Sequence, residues 1–207
     1  PLLYFDPLTG IKISAYLEGL ETFEKHHNHH DIERVALRLH DLHHLNIKVG
    51  SAFDIKGQFL NYRSHTENPQ FDLTPYTALF DQLDQYQSIS TLCHNDLVAG
   101  NVCFQGEHCY IIDYEYACDN DPYFDLLSFI TENDIQDECL RNVFFEAYFK
   151  GPVTNKQLQK IRYYEKLLNL YWCQWAMMRA SQHDDPIYSE IAALKFQRLK
   201  EKHGELN

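Results

Sequence analysis

Apart from a short alternating run near its start, this chain reads as strand in one place only, and that place lies in the middle of helix-like sequence. Between Ser90 and Asp113, Leu92-Cys93 leads into a polar segment. Val102-Cys103-Phe104 and Cys109-Tyr110-Ile111-Ile112 then flank Gln105-Gly106-Glu107-His108. Apolar, β-prone runs on either side of a short glycine-containing turn predict a hairpin. That island limits the fold to a helical body carrying a small β-hairpin.

The rest of the pattern agrees. Ile11-Lys12-Ile13-Ser14-Ala15-Tyr16-Leu17 alternates like a strand and ends at Gly19. Asp31 is placed to cap a helix whose Ile32, Val35, Leu39 and Leu42 share a face. Thr74-Pro75 reads as a cap and first-turn proline, with Tyr76, Leu79, Phe80, Leu83 and Tyr86 turned inward. Further helices are expected from Asp125 to Asn133, from Asp137 to Lys150 closing at Gly151, and from Thr154 to about Ser181, followed by a last one after Pro186. Thr154 and Gln157 have capping-box spacing. No internal repeat or low-complexity linker divides the chain.

Charge restricts the partners. Thirty acidic residues stand against 18 basic ones, a net charge of −12, which repels phosphate backbones and anionic lipid. Nucleic acid is therefore not an expected partner. No apolar run reaches the roughly 20 residues of a membrane-spanning helix, so no membrane insertion is expected. Six cysteines form no C-x-x-C pair, and with no visible leader they read as buried thiols of a cytoplasmic protein. The histidines at 26, 27, 29 and 30 fall in a polar stretch without nearby cysteines. They read as a solvated connector rather than a metal site.

The hairpin is bracketed by polar residues that its core does not need. His94-Asn95-Asp96-Leu97-Val98-Ala99-Gly100-Asn101 precedes it, and Asp113-Tyr114-Glu115-Tyr116 follows the apolar strand. An acid, an amide five residues on, and a second acid after a strand form the constellation of kinase-type phosphoryl transfer. In that chemistry Asp96 orients or deprotonates the attacking hydroxyl, while Asn101 and Asp113 hold magnesium on the phosphates of ATP. A loop followed by a hairpin brings both ends to one edge, so these oxygens are expected to face one cleft.

With Ile112-Asp113-Tyr114-Glu115-Tyr116-Ala117, Asn120, Pro122 and Asp125-Leu126 added, the sequence resembles the choline/ethanolamine kinase family, within the aminoglycoside-phosphotransferase group of the protein-kinase-like fold. The resemblance implies a mainly α C-terminal lobe with a small β-hairpin, divided into a residual N-lobe strand and hinge (1–19) and a helical lobe (20–207). It implies that Ala15, Tyr16, Leu17 and Glu18 form the linker that receives adenine. Glu115, Tyr116 and Glu132 would shape or charge an amino-alcohol site, and Asp125 would anchor the catalytic loop. Trp172 and Trp175 stand three apart in a helical segment, hence on one face. The family resemblance makes them walls for a small cationic amino alcohol such as choline, with Tyr188 as a further wall.

One departure counts against full activity. There is no G-x-G and no length before residue 11 for a lobe that would cover the phosphates. The N-terminal β-rich lobe is therefore expected to be largely absent, the chain to be weakly active or inactive alone, and the surface so exposed to favour association into an oligomer. Two other readings stand beside this one: an aminoglycoside-type phosphotransferase, and a non-catalytic lobe that binds a cationic ligand.

Overall fold

The computed structural model describes residues 2–26, 28–86 and 90–203. It is a mainly helical lobe with three small antiparallel sheets. Strands β1 (Leu2–Phe5) and β2 (Lys12–Ser14) pair with Tyr4 opposite Ile13 and Phe5 opposite Lys12. The strand expected over 11–17 thus shortens to three residues, because its partner is short and bulged and the ladder runs out. Residues 15–17 follow it without regular secondary structure and lead to a turn at Gly19, whose φ is +71°.

Helix α1 (His29–His43) buries Ile32, Val35, Leu39 and Leu42 along one face. Its cap is Asn28, not Asp31: the Asn28 side chain accepts the Asp31 N–H at 3.0 Å, and Asp31 already belongs to the first turn. The histidine segment is solvated at His29 and His30, which are exposed, and departs from the expectation at His26. His29 and His30 open the helix, and His26 is half-buried with its ring 2.8 Å from the Asp31 carboxylate. His27 lies outside the described residues.

Helix α2 (Ile55–Ser64), capped by Asp54, has no counterpart in the sequence reading. Only Ile55 and Phe59 are buried on it, too few to make a visible stripe. The segment Thr74–Gln82 is 3₁₀-helical rather than α-helical and runs into the single turn α3 (Leu83–Tyr86). Leu79 and Phe80 are buried, while Tyr76, Leu83 and Tyr86 are half-buried.

Strand β4 (Thr91–Cys93) enters the polar loop, and β5 (Val102–Gln105) and β6 (His108–Ile111) form the expected hairpin, Val102 opposite Ile111. Two further pairings hold this region in place. Strand β3 (Glu21–Thr22) adds to β5, and β7 (Cys118–Asn120) pairs with β4, Cys93 opposite Cys118.

Helix α4 (Pro122–Glu132) starts earlier than expected because Asp121 caps it, accepting the Tyr123 N–H. Every residue from Tyr123 to Thr131 is buried. Helix α5 (Glu138–Phe149) is capped by Asp137 and ended by Lys150, not Gly151, in the left-handed region. Helix α6 (Asn155–Gln182) carries the capping box, and α7 (Pro186–His203) packs back on it. Phe129, Ile130, Leu167, Leu168 and Leu170 are wholly inaccessible. A buried two-pronged ion pair, Arg141 to Glu165 at 3.0 and 2.8 Å, ties α5 to α6. Burial of thiols is not uniform: Cys139 is exposed and Cys118 half-buried, and all six are free. Among the described residues no helix is long and apolar enough to cross a membrane.

Candidate active site

The loop between β4 and β5 is held from beneath by buried polar groups. His94 is fully buried. Its Nδ1 accepts the Asp96 N–H at 3.2 Å and its Nε2 donates to the Ile112 carbonyl at 2.8 Å, which places the ring proton on Nε2. Asn95 adopts a left-handed backbone (φ 66°), a conformation asparagine tolerates better than most residues. Its amide donates to the Tyr116 carbonyl and accepts from Asn120. Asp125 lies below: its carboxylate accepts the His94 N–H at 2.7 Å, the Asn95 N–H at 2.8 Å and the His43 ring at 3.0 Å. His43 in turn meets the Tyr148 hydroxyl at 2.8 Å. His43, Cys93 and Asp125 are close enough to ligate a metal, but all three are buried and already hydrogen-bonded.

Above this support stand Asp96, Asn101 and Asp113. The Asn101 amide nitrogen donates to the Asp96 carboxylate at 3.0 Å and to the Asp96 carbonyl at 2.9 Å, which leaves its side-chain oxygen for another partner. The Ile112 N–H bonds the Asn101 carbonyl at 3.0 Å and closes the base of the hairpin. Asp113 follows in a left-handed conformation (φ 65°), exposed and without an ion-pair partner among the described residues. Burial raises the Asp96 carboxyl above the usual carboxylate range. The nearby charges of Glu132 and Asp113 add to that rise, and His94 and Asn101 oppose it.

Asp96 and Asp113 stand near enough for the charge of Asp113 to act on Asp96, and they border two adjoining hollows. Asp113 borders a hollow of about 670 Å³ beneath β2 and the linker, with Ala15, Tyr16 and Leu17 on its wall. Glu18 does not line it, and its carbonyl is taken by the Gln105 amide at 2.7 Å. Asp96 borders a second hollow, of about 340 Å³, walled by Glu115, Tyr116, Trp172, Trp175 and Tyr62.

The two tryptophans meet edge-to-face, ring centres 5.9 Å apart, and both are half-buried. Glu115 is exposed and unpaired among the described residues, and its charge is the main reason the Tyr116 hydroxyl titrates higher than usual. Two residues expected at the wall do not line this hollow. Tyr188 meets Trp175 edge-to-face, ring centres 5.9 Å apart, and Arg179 lies over the Tyr188 ring at 5.2 Å. Glu132 is bound to Lys195 at 2.7 Å, and Lys195 also bonds the Thr131 carbonyl at 2.6 Å. The supports His43 and Lys195 had no signal in the sequence, since each is linked to its partner across more than 60 residues. Tyr62 lies on the unforeseen helix α2.

Such a site can receive a hydroxyl at a half-buried carboxylate, next to aromatic faces, with two oxygen ligands nearby for a hard cation. A family model described as the phosphotransferase enzyme family matches residues 20–159. The chain is 26% identical over 189 residues to protein LicA of Haemophilus influenzae, covering 84% of this chain and 71% of that protein. It spans 56% of a second LicA sequence from that species. In fold it is similar to a choline/ethanolamine kinase family protein from Mesorhizobium loti (TM-score 0.80, 22% identity, 98% of this chain and 73% of the other). It is similar too to choline kinase LicA from Streptococcus pneumoniae (TM-score 0.77, 23% identity, 97% and 74%). With its loop, hairpin and helical body in this arrangement, the chain belongs to the phosphotransferase enzyme family.

Proposed function

We propose that this lobe transfers the terminal phosphoryl group of ATP to the hydroxyl of a small amino alcohol, with choline the substrate of best fit. The observation that carries the reading is the position of Asp96, on the wall of an aromatic hollow beside a second hollow that ends at Asp113. Residues 1–19 supply the nucleotide edge and residues 20–207 the body, so the acceptor and the nucleotide approach from the two sides of the loop.

Asp96 accepts the proton of the hydroxyl as it attacks. A carboxyl raised by burial is a stronger base once ionised, which suits this role. Asn101 and Asp113 fit a magnesium ion: one offers an amide oxygen left over from its bonds to Asp96, the other an unpaired carboxylate. When bound, that ion neutralises charge on the phosphates. Asp125, through the N–H groups of His94 and Asn95, fixes the loop so that Asp96 needs little reorganisation.

The substrate class follows from the walls. A quaternary ammonium donates no hydrogen bonds and is held by aromatic faces, each favourable contact worth about 0.5–2 kcal/mol, together with a nearby carboxylate. Trp172, Trp175 and Tyr116 offer the faces and Glu115 the charge. The similarity to proteins named choline kinase and choline/ethanolamine kinase supports the same class.

Titration of the chain with choline, read by tryptophan fluorescence, tests this. Saturable quenching is expected, weakened about tenfold by Trp172→Ala. No choline-dependent signal, or an unchanged affinity in that variant, refutes the acceptor assignment.

A further inference from the structure

We infer that Lys12 is the protein's phosphate-contacting cation in the hollow beneath β2, bonding the polyphosphate of a bound nucleoside di- or triphosphate. The inference rests on the nucleotide reading of that hollow and adds a residue to it.

Lys12 and Ser14 are two apart on β2, so their side chains share a face, and both line the hollow together with Leu2, the residue opposite Ser14. The remaining wall is linker backbone, apolar or aromatic side chains and the carboxylate of Asp113. Among the described residues Lys12 is the one cation on it. A polyphosphate in this position lies beside Asp113, whose charge acts on Asp96 and which, with Glu115, acts on Tyr116, in a chain of net charge −12. Without a compensating positive group from the protein, that field opposes binding.

Lys12 is also uncommitted. Lys48 bonds the Ser90 carbonyl, Lys56 meets Asp81, Lys160 meets Asp121, Lys195 meets Glu132 and Lys202 lies near Glu165. Lys12 has no hydrogen-bond or ion-pair partner among the described residues, is exposed, and faces the apolar Phe5 across the β-ladder. An ammonium on a flexible four-carbon stem, held by nothing else, is suited to follow phosphate oxygens as a mobile point charge.

The test is equilibrium binding of ADP and of adenosine to the chain, wild type against Lys12→Met and Lys12→Arg, at fixed magnesium and two salt concentrations. Because Lys12 is exposed, neither variant threatens folding. Wild type is expected to bind ADP more tightly than adenosine. Lys12→Met should weaken ADP about tenfold or more, leave adenosine within about twofold, and flatten the salt dependence of ADP binding. Lys12→Arg should restore most of the loss. An unchanged ADP affinity in Lys12→Met, or equal weakening of ADP and adenosine, overturns the assignment and leaves the nucleotide reading standing. Wild type that binds neither ligand overturns both.

Discussion

Replacement of Asp125 by alanine separates a residue that builds the site from those that do its chemistry. The Asp125 carboxylate is wholly buried and accepts three hydrogen bonds, from the His94 and Asn95 N–H groups and from the His43 ring. Alanine leaves those donors without an acceptor in a space water does not reach. Each stranded buried donor costs about 1–3 kcal/mol, and some relaxation of the loop brings the total to about 3–6 kcal/mol. That is a large part of the roughly 5–15 kcal/mol that holds a domain folded. Asp125→Asn keeps the shape but turns an NH₂ toward one of the two N–H groups, at about 2 kcal/mol. Asp113→Asn is the contrast: the residue is exposed, unpaired and left-handed, and asparagine accepts that conformation, so stability should change by less than about 0.5 kcal/mol. Urea unfolding followed by tryptophan fluorescence and circular dichroism measures all three. A midpoint for Asp125→Ala that matches Asp113→Asn, or lies within about 1 kcal/mol of wild type, would show that the loop is held by something other than this carboxylate.

Arg141→Met should cost about 3–5 kcal/mol in the same assay, because it leaves buried Glu165 with Lys202, 3.8 Å away, as its remaining ion-pair partner among the described residues; pairing it with Glu165→Leu should recover most of the loss. Burial pushes the Asp31 carboxyl up, but hydrogen bonds from Arg34, His26 and Asn28 outweigh it and hold it below its ordinary value. Its stabilisation is therefore present above the unfolded-state pKa of about 4 and is lost as pH falls through the lower folded value. Asp31→Asn should be less stable than wild type at pH 7, with the difference closing under acid unfolding; a difference that persists at low pH contradicts the sign. Glu115→Gln should weaken choline binding only a few-fold, and less at high salt, because the carboxylate is exposed. An effect larger than that of Trp172→Ala would make charge, not the aromatic walls, the main contact.

Local features were legible in the residue order. The hairpin is written in two apolar runs and a glycine turn, and the capping box in Thr154 and Gln157, because each depends on neighbours a few residues apart. The order Asp96, Asn101, Asp113 was legible for the same reason: a loop and hairpin bring the three together without help from the rest of the chain. Trp172 and Trp175 share a face by helical period alone. What the fold decided is everything that pairs at long range. Nothing in the spelling of His43 says that it meets Asp125, or in Lys195 that it takes Glu132. Tyr188 meets Trp175 but does not line the hollow beside Asp96, a placement that depends on how α7 packs on α6. Short-range order follows from backbone geometry that each residue carries with it, whereas the partner of a charge is chosen only when distant helices close and desolvate it.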